Sequence, residues 1–145
     1  MATPMDQLTT FLSNMFAEGL LDTQFQELQM IQGPDMPNFI SEVITLFCED
    51  GERIINELAK LLDKPCVDFD RLDAIAHRFK GSSASVGALR VKNTCIQLHV
   101  FCKEKSLNGC LMTLNTVSNE FYNMRGKFQM ILQLEQQVKT YYSKK

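Results

Sequence analysis

The sequence lacks the long apolar runs that membrane segments require. No stretch approaches the roughly 20 consecutive apolar residues that cross a bilayer as a helix. The N-terminal region also lacks a basic segment followed by an apolar one, and it carries Asp6 and Glu18. Neither a secretory signal nor a membrane partner is therefore expected.

An excess of charge of one sign is also missing. The 145 residues include 15 Lys and Arg and 17 Asp and Glu, which leaves a formal net charge of -2. That balance gives no general electrostatic attraction to nucleic acids or to anionic lipid surfaces. We therefore expect protein partners and no binding to nucleic acid.

Cysteine is present without the even number and paired spacing of a disulfide framework. An odd count of five fits reduced thiols, mostly in the core, in a protein of the cytoplasm and nucleus. The five are Cys48, Cys66, Cys95, Cys102 and Cys110.

Glycine and proline are few, with seven and four residues, and they fall mainly between segments of helical periodicity. Strand-like alternation is nearly absent, so the sequence predicts one all-α domain over residues 1–145. Two N-terminal helices within 1–35 are expected to cap an antiparallel four-helix bundle over 38–143. The predicted helices run from Thr3-Pro4 to near Gly19, along Phe25, Leu28 and Ile31 to Gly33-Pro34-Asp35, from Asn38 to Leu62, from Asp68 to Val86, from Arg90 to Lys103 and from Cys110 to Tyr141, with Asn108-Gly109 at the last turn.

The third predicted helix has apolar residues on two faces. Its second face, with Phe39, Leu46 and Ile55, is expected to be covered by the N-terminal helices. Gly51 interrupts this helix at a cost of about 1 kcal/mol relative to Ala, and a kink there is one interpretation.

The fourth predicted helix places a histidine opposite a narrow apolar stripe. At about 100° per residue, His77 falls roughly 140° from the centre of that stripe and is expected to face solvent. Gly81 and the serines after it are poor helix formers. A helix that ended at Lys80 would explain the glycine equally well, but not the stripe that continues in phase beyond it. The stripe consists of Phe69, Leu72, Ala76, Phe79, Ser83 and Val86.

The residues beside His77 on the same helical face are small. Ala74 lies three residues before it, Gly81 four residues after it and Ala84 seven after it. These small side chains would leave the imidazole accessible to another protein surface. Lys80, three residues after His77, could place its ammonium group beside an anion on the ring.

This arrangement favours a histidine that accepts a phosphoryl group from a partner. A neutral imidazole is a competent nucleophile near pH 7, because its ordinary pKa is about 6.5. No Mg²⁺ site accompanies it in the sequence, so no cofactor of the chain itself is expected and the metal would come from the partner. The simpler interpretation is an exposed histidine followed by a loop.

These residues resemble the histidine-containing phosphotransfer (HPt) proteins of multistep phosphorelays, in particular the plant type. The block HRFKGSSASVGA at residues 77–88 looks like the phosphorylation motif of that family. The similarity continues through 90–93 and 134–137, and it includes 19–25 and 38–39 upstream. The resemblance therefore covers nearly the whole chain.

The resemblance implies a role as a phosphorelay intermediate. His77 would accept the group from a phospho-aspartate on the receiver domain of a hybrid sensor histidine kinase and pass it to a response regulator, chiefly in cytokinin signalling. Lys80 would be the cation beside the phosphate and Gly81 would provide clearance. Mg²⁺ is expected on the partner receiver domain. Family members without the histidine act as decoys, and His77 is present here.

The implied docking face contains two departures from the family pattern. Arg78 stands where Gln is common, and Ala84 lies within a run that commonly continues with serine. Both departures concern partner preference and transfer rate rather than the acceptor. The predicted face comprises Ala74, Arg78, Gly81, Ser82 and Ala84 with exposed parts of the second and third helices, on a protein expected to act as a monomer.

Other functions have weaker support in the sequence. Cys95, His99 and Cys102 share one side of the fifth predicted helix and could bind zinc, but a fourth ligand is not evident. The segment from Gly81 to Gly87 lacks the Gly-Lys-Ser/Thr ending of a phosphate loop. The serious alternative is a helical adaptor that binds receiver domains through the same face and is never phosphorylated.

Overall fold

The computed structural model describes residues 2–143, which form six α-helices and no β-strand. The predicted all-α class is therefore confirmed. None of the helices in this range combines the length and the hydropathy that a membrane span needs. The helices are α1 (Pro4–Ala17), α2 (Thr23–Ile31), α3 (Phe39–Leu62), α4 (Phe69–Ser85), α5 (Leu89–Lys103) and α6 (Leu107–Ser143).

Helices α3 to α6 form the bundle. Helix α4 packs against α3 and α5, and α6 packs against the same two helices from the other side. Helix α1 packs along α6, whereas α2 contacts α3 and α4. The prediction that both N-terminal helices cover the second face of α3 is therefore wrong for α1.

Local signals explain where several helices begin. Thr3 and Asp6 form a reciprocal capping box at α1, with Pro4 as its first residue. Asp68 accepts a hydrogen bond from the backbone N–H of Arg71 at the start of α4.

The predicted turn at Asn108-Gly109 is wrong, because both residues lie in the first turn of α6. The chain turns earlier, at Lys105, whose φ is 53°. Ser106 then accepts a hydrogen bond from the backbone N–H of Gly109 at 3.1 Å. Glycine is needed there for another reason, since a Cβ would lie 2.1 Å from the ring of Phe101.

Two residues of the predicted apolar stripes are exposed. Ile31 at the end of α2 is 51% exposed and Leu46 on α3 is 66% exposed. On α3 the buried residue at this level is instead Ile44, which is 1% exposed and was not part of the predicted seam.

The core is centred on aromatic rings from several helices. Phe47 of α3 lies 6.2 Å from Phe79 of α4 and 5.7 Å from Phe121 of α6, measured between ring centroids. Phe79 and Phe121 lie 5.8 Å apart, and both are fully buried. Gly51 faces this cluster, where a Cβ would lie 2.2 Å from the Phe121 ring. Its role is thus close packing within a single continuous helix.

We predict that Gly51→Ala destabilises the protein. The added methyl group must displace a buried ring, and overpacking of this kind costs about 1–3 kcal/mol, more than the roughly 1 kcal/mol that alanine gains as a helix former. Gly126→Ala on α6 is the matched control, because its Cβ would meet open space. Urea unfolding followed by circular dichroism should show a loss for Gly51→Ala and a gain for Gly126→Ala. Equal gains would contradict the packing argument.

Candidate functional site

His77 lies at the middle of α4, with eight helical residues on either side. Leu72, Ile75, Ala76 and Phe79 on the inner side of the helix are buried, whereas His77 is exposed. Within the described range, the side chain of His77 makes no hydrogen bond and no ion pair. The predicted exposure of this imidazole is confirmed.

The end of α4 is fixed by the segment between α1 and α2. Gly87 has a φ of 73°, in the left-handed region that favours glycine, and a Cβ there would lie 2.8 Å from the backbone nitrogen of Phe25. Asp22 donates its backbone N–H to the carbonyl of Gly87 at 3.1 Å. The Leu89 N–H reaches the carbonyl of Leu20 at 3.3 Å. Two separate parts of the family-like sequence, 19–25 and the end of 77–88, thus meet in the fold.

The surface beside His77 is open toward the C-terminal half of α4. Gly81 is exposed, and a Cβ added to it would have no atom within 4 Å apart from its own helix. Ala74 is also exposed, and Ala84 is half-buried. A side chain larger than these at position 81 would extend into the space next to the imidazole.

A cleft of about 280 Å³ lies between α4 and α5 next to His77. His77 and Lys80 line it from α4, and Cys95, Ile96 and His99 line it from α5. Lys80 makes no ion pair with any residue in the described part of the chain. Its ammonium group is therefore available for an anion in the cleft.

The remaining predicted residues lie toward α3. Arg78 points to Glu57, with its Nη2 3.9 Å from one carboxylate oxygen, while Arg71 approaches the other oxygen of the same carboxylate at 3.2 Å. Ser82 and Ser85 line a groove of about 400 Å³ between α4 and α3. The structure therefore places the predicted site residues on two sides of His77, with Lys80 toward α5 and Arg78 and Ser82 toward α3.

An ionic cluster beside the cleft was not predicted from the sequence. Asp73, one turn before His77, accepts a hydrogen bond from Nδ1 of His99 at 2.7 Å, since a carboxylate supplies only acceptor atoms. The Nζ of Lys103 lies 3.7 Å from the other carboxylate oxygen. The sequence shows only the spacing within each helix: Asp73 lies four residues before His77, and Lys103 lies four residues after His99. It gives no local signal that the two helices would bring these groups together.

The zinc hypothesis for the fifth helix finds no support in the geometry. Cys102 is buried with its Sγ 4.0 Å from that of Cys110, while His99 is turned toward Asp73. Among residues 2–143 no three His, Cys, Asp or Glu side chains are grouped to hold a metal ion. Burial raises the pKa of the Cys95 and Cys102 thiols to about 12, so neither is a ready thiolate ligand or nucleophile near pH 7.

The arrangement can present one nucleophilic nitrogen to a second molecule, with a cation one turn away. It contains no side chain placed to remove a proton from His77 within the described residues. A neutral imidazole needs no such base to attack phosphorus, because its free lone pair is already available.

Comparison with known proteins gives consistent results. The family model described as the Hpt domain matches residues 42–138. Histidine-containing phosphotransfer protein 1 of Oryza sativa subsp. japonica is 61% identical over 95% of this chain and 94% of its own length. The crystal structure of a histidine-containing phosphotransfer protein from maize superimposes with a TM-score of 0.90 at 57% identity, covering 94% of this chain and 99% of the maize chain. A structure of such a protein from Medicago truncatula gives a TM-score of 0.91 at 38% identity, with coverage of 97% and 96%.

We predict that Gly81→Gln leaves the fold intact and slows phosphorylation of His77. Position 81 has room for a side chain, but a glutamine there crowds the approach of a donor to the ring. The matched control is Gly126→Gln on α6, where an added side chain also meets open space but does not lie beside His77 in the sequence of α4. Rates are measured with a phosphorylated receiver domain, and stability by urea unfolding. Equal rates for Gly81→Gln and wild type would disprove the clearance argument.

Proposed function

The chain belongs to the histidine-containing phosphotransfer family, and from that premise we propose that it relays a phosphoryl group on His77 between receiver domains. The observation that carries this proposal is the exposed His77 at the middle of a firmly packed helix. It has small neighbours, and Lys80 in the same cleft has no ion-pair partner among residues 2–143. A histidine that served only packing would have its ring nitrogens satisfied by neighbouring groups.

The chemical step requires little from this chain beyond position. A ring nitrogen of neutral His77 donates its lone pair to phosphorus as the P–O bond to the receiver aspartate breaks, and the bonding electrons remain on the carboxylate. The second transfer reverses these events on another receiver. Phosphoryl transfer depends mainly on positioning and on stabilisation of charge on the phosphoryl oxygens. We propose that the partner, with its Mg²⁺, supplies most of that stabilisation and that this chain has no complete catalytic site.

Two residues of this chain assist the step in our proposal. Lys80 neutralises part of the charge on the transferred group from one turn beyond His77. Gly81 keeps the approach to the ring clear. Ala74 and Ala84 extend the clear surface, while Arg78 and Ser82 contact the partner from the α3 side.

The proposed partners are receiver domains of two kinds. The donor is the receiver domain of a hybrid sensor histidine kinase, and the acceptor is a response regulator. Similarity to plant proteins supports a plant phosphorelay, and cytokinin signalling is the proposed setting. We propose that the protein works as a monomer in the cytoplasm and the nucleus.

The direct test is phosphoryl transfer in vitro. Wild type and His77→Gln are each mixed with a phosphorylated receiver domain and Mg²⁺, and the label is located by mass spectrometry under non-acidic conditions. We expect acid-labile, base-stable label on wild type and none on the variant. His99→Gln is the matched control, because it removes the other histidine of the chain and should still be labelled.

The other outcomes separate the alternatives. Receiver domains that bind the wild type but leave it unlabelled would indicate the adaptor function. Label that persists on His77→Gln would show that another residue is the acceptor.

A further inference from the structure

His99 lines the same cleft as His77 and Lys80, although it lies on the neighbouring helix. Its ring is about half exposed, and its Nδ1 is held by the carboxylate of Asp73 at 2.7 Å. Asp73 precedes His77 by one helical turn, whereas Lys80 follows it by nearly one turn. His99 and Lys80 therefore lie on opposite sides of the acceptor along the helix axis.

The hydrogen bond to Asp73 determines what the other nitrogen of His99 can do. With Nδ1–H donated to the carboxylate, Nε2 has no hydrogen-bond partner among the described residues. In the neutral ring, Nε2 can only accept a hydrogen bond. In the protonated ring, Nε2 becomes a hydrogen-bond donor and the ring carries a positive charge. A phosphoryl oxygen, which is a negatively charged acceptor, binds such a donor.

We propose that His99 is a second phosphate-side residue, which in its protonated form donates a hydrogen bond from Nε2 to the phosphoryl group on His77. This inference rests on the proposed function of His77 and deepens it. The phosphorylated protein then gains stability relative to the phosphorylated receiver as the pH falls through the range in which histidine becomes charged.

Between about pH 6 and 8 histidine is the side-chain class whose ordinary pKa lies closest to the range, so a pH effect can be assigned by comparing variants. From α4, Asp73 contacts His99, and His77 and Lys80 line the cleft. From α5, Lys103 lies 3.7 Å from Asp73. The remaining nearby titratable groups are thiols, whose pKa values burial raises, so that they stay neutral: Cys95 and Cys102 from α5 and Cys110 from α6.

The effect of His77 must be separated from that of His99. Protonation of His77 blocks the attacking lone pair in every variant that retains this residue. The pH dependence of the receiver domain is likewise common to all variants. The phosphorylated fraction of wild type divided by that of the variant, taken at each pH, therefore isolates the contribution of residue 99.

The experiment measures the equilibrium distribution of phosphoryl between a receiver domain and this protein at about pH 6, 7 and 8. Wild type is compared with His99→Gln, which cannot be charged, and with His99→Arg, which is always charged. Lys80→Ala is the control for a cation whose charge does not change over the range. Circular dichroism confirms that each variant is folded.

We expect wild type to hold about two- to fivefold more phosphoryl than His99→Gln at pH 6, the scale of a partly exposed charge pair, and about the same amount at pH 8. His99→Arg should match or exceed wild type at all three values. Lys80→Ala should lower the phosphorylated fraction by a similar factor throughout.

The decisive quantity is the phosphorylated fraction of wild type divided by that of His99→Gln. If this ratio is the same at every pH, whether equal to one or not, the role of His99 is overturned while His77 remains the acceptor. The constant ratio would identify His99 as a purely structural partner of Asp73. Wild type that accepts no label at any pH would overturn both this inference and the proposed function.

Discussion

The burial of Phe79 is the contact on which the exposure of His77 depends. Its ring is fully buried, 6.2 Å from Phe47 and 5.8 Å from Phe121 between centroids. Two helical residues differ by about 200° in direction, so a helix that buries position 79 must turn position 77 toward solvent. The free energy gained by burying an aromatic ring thus fixes the orientation of a residue that makes no such contact itself.

That packing also explains how α4 continues through its weakest segment. Gly81 and the serines after it favour non-helical conformations, but Ser83 and Val86 are buried and hold the inner side of the helix against the bundle. Gly87, whose backbone is in the left-handed region, then follows the end of α4, and its carbonyl accepts a hydrogen bond from the α1–α2 connection. A rigid helix with a cleared outer face is suited to a carrier, since successive partners must find the acceptor in one geometry.

Periodicity predicted much of this from the sequence, because α4 has a single narrow apolar side and clear end signals. Periodicity failed where contacts between helices decide which residues are buried and which helices are neighbours. The apolar pattern could not show that Leu46 would stay exposed, or that α1 would pack on α6. Asn108-Gly109 has the composition of a turn, yet it lies in a helix. The glycine is there because the Phe101 ring packs where a Cβ would be. The pairing of Asp73 with His99 joins residues on different helices, which no local pattern encodes.

Native-state hydrogen exchange of α4 tests most directly whether packing holds this helix rigid beneath His77. We expect the backbone amides of residues 81–85 to exchange through the same global unfolding as the amide of Phe79, with a similar free energy. Exchange of residues 81–85 that is faster by orders of magnitude, through local opening, would contradict it and would mean that His77 is carried on a helix that frays one turn away.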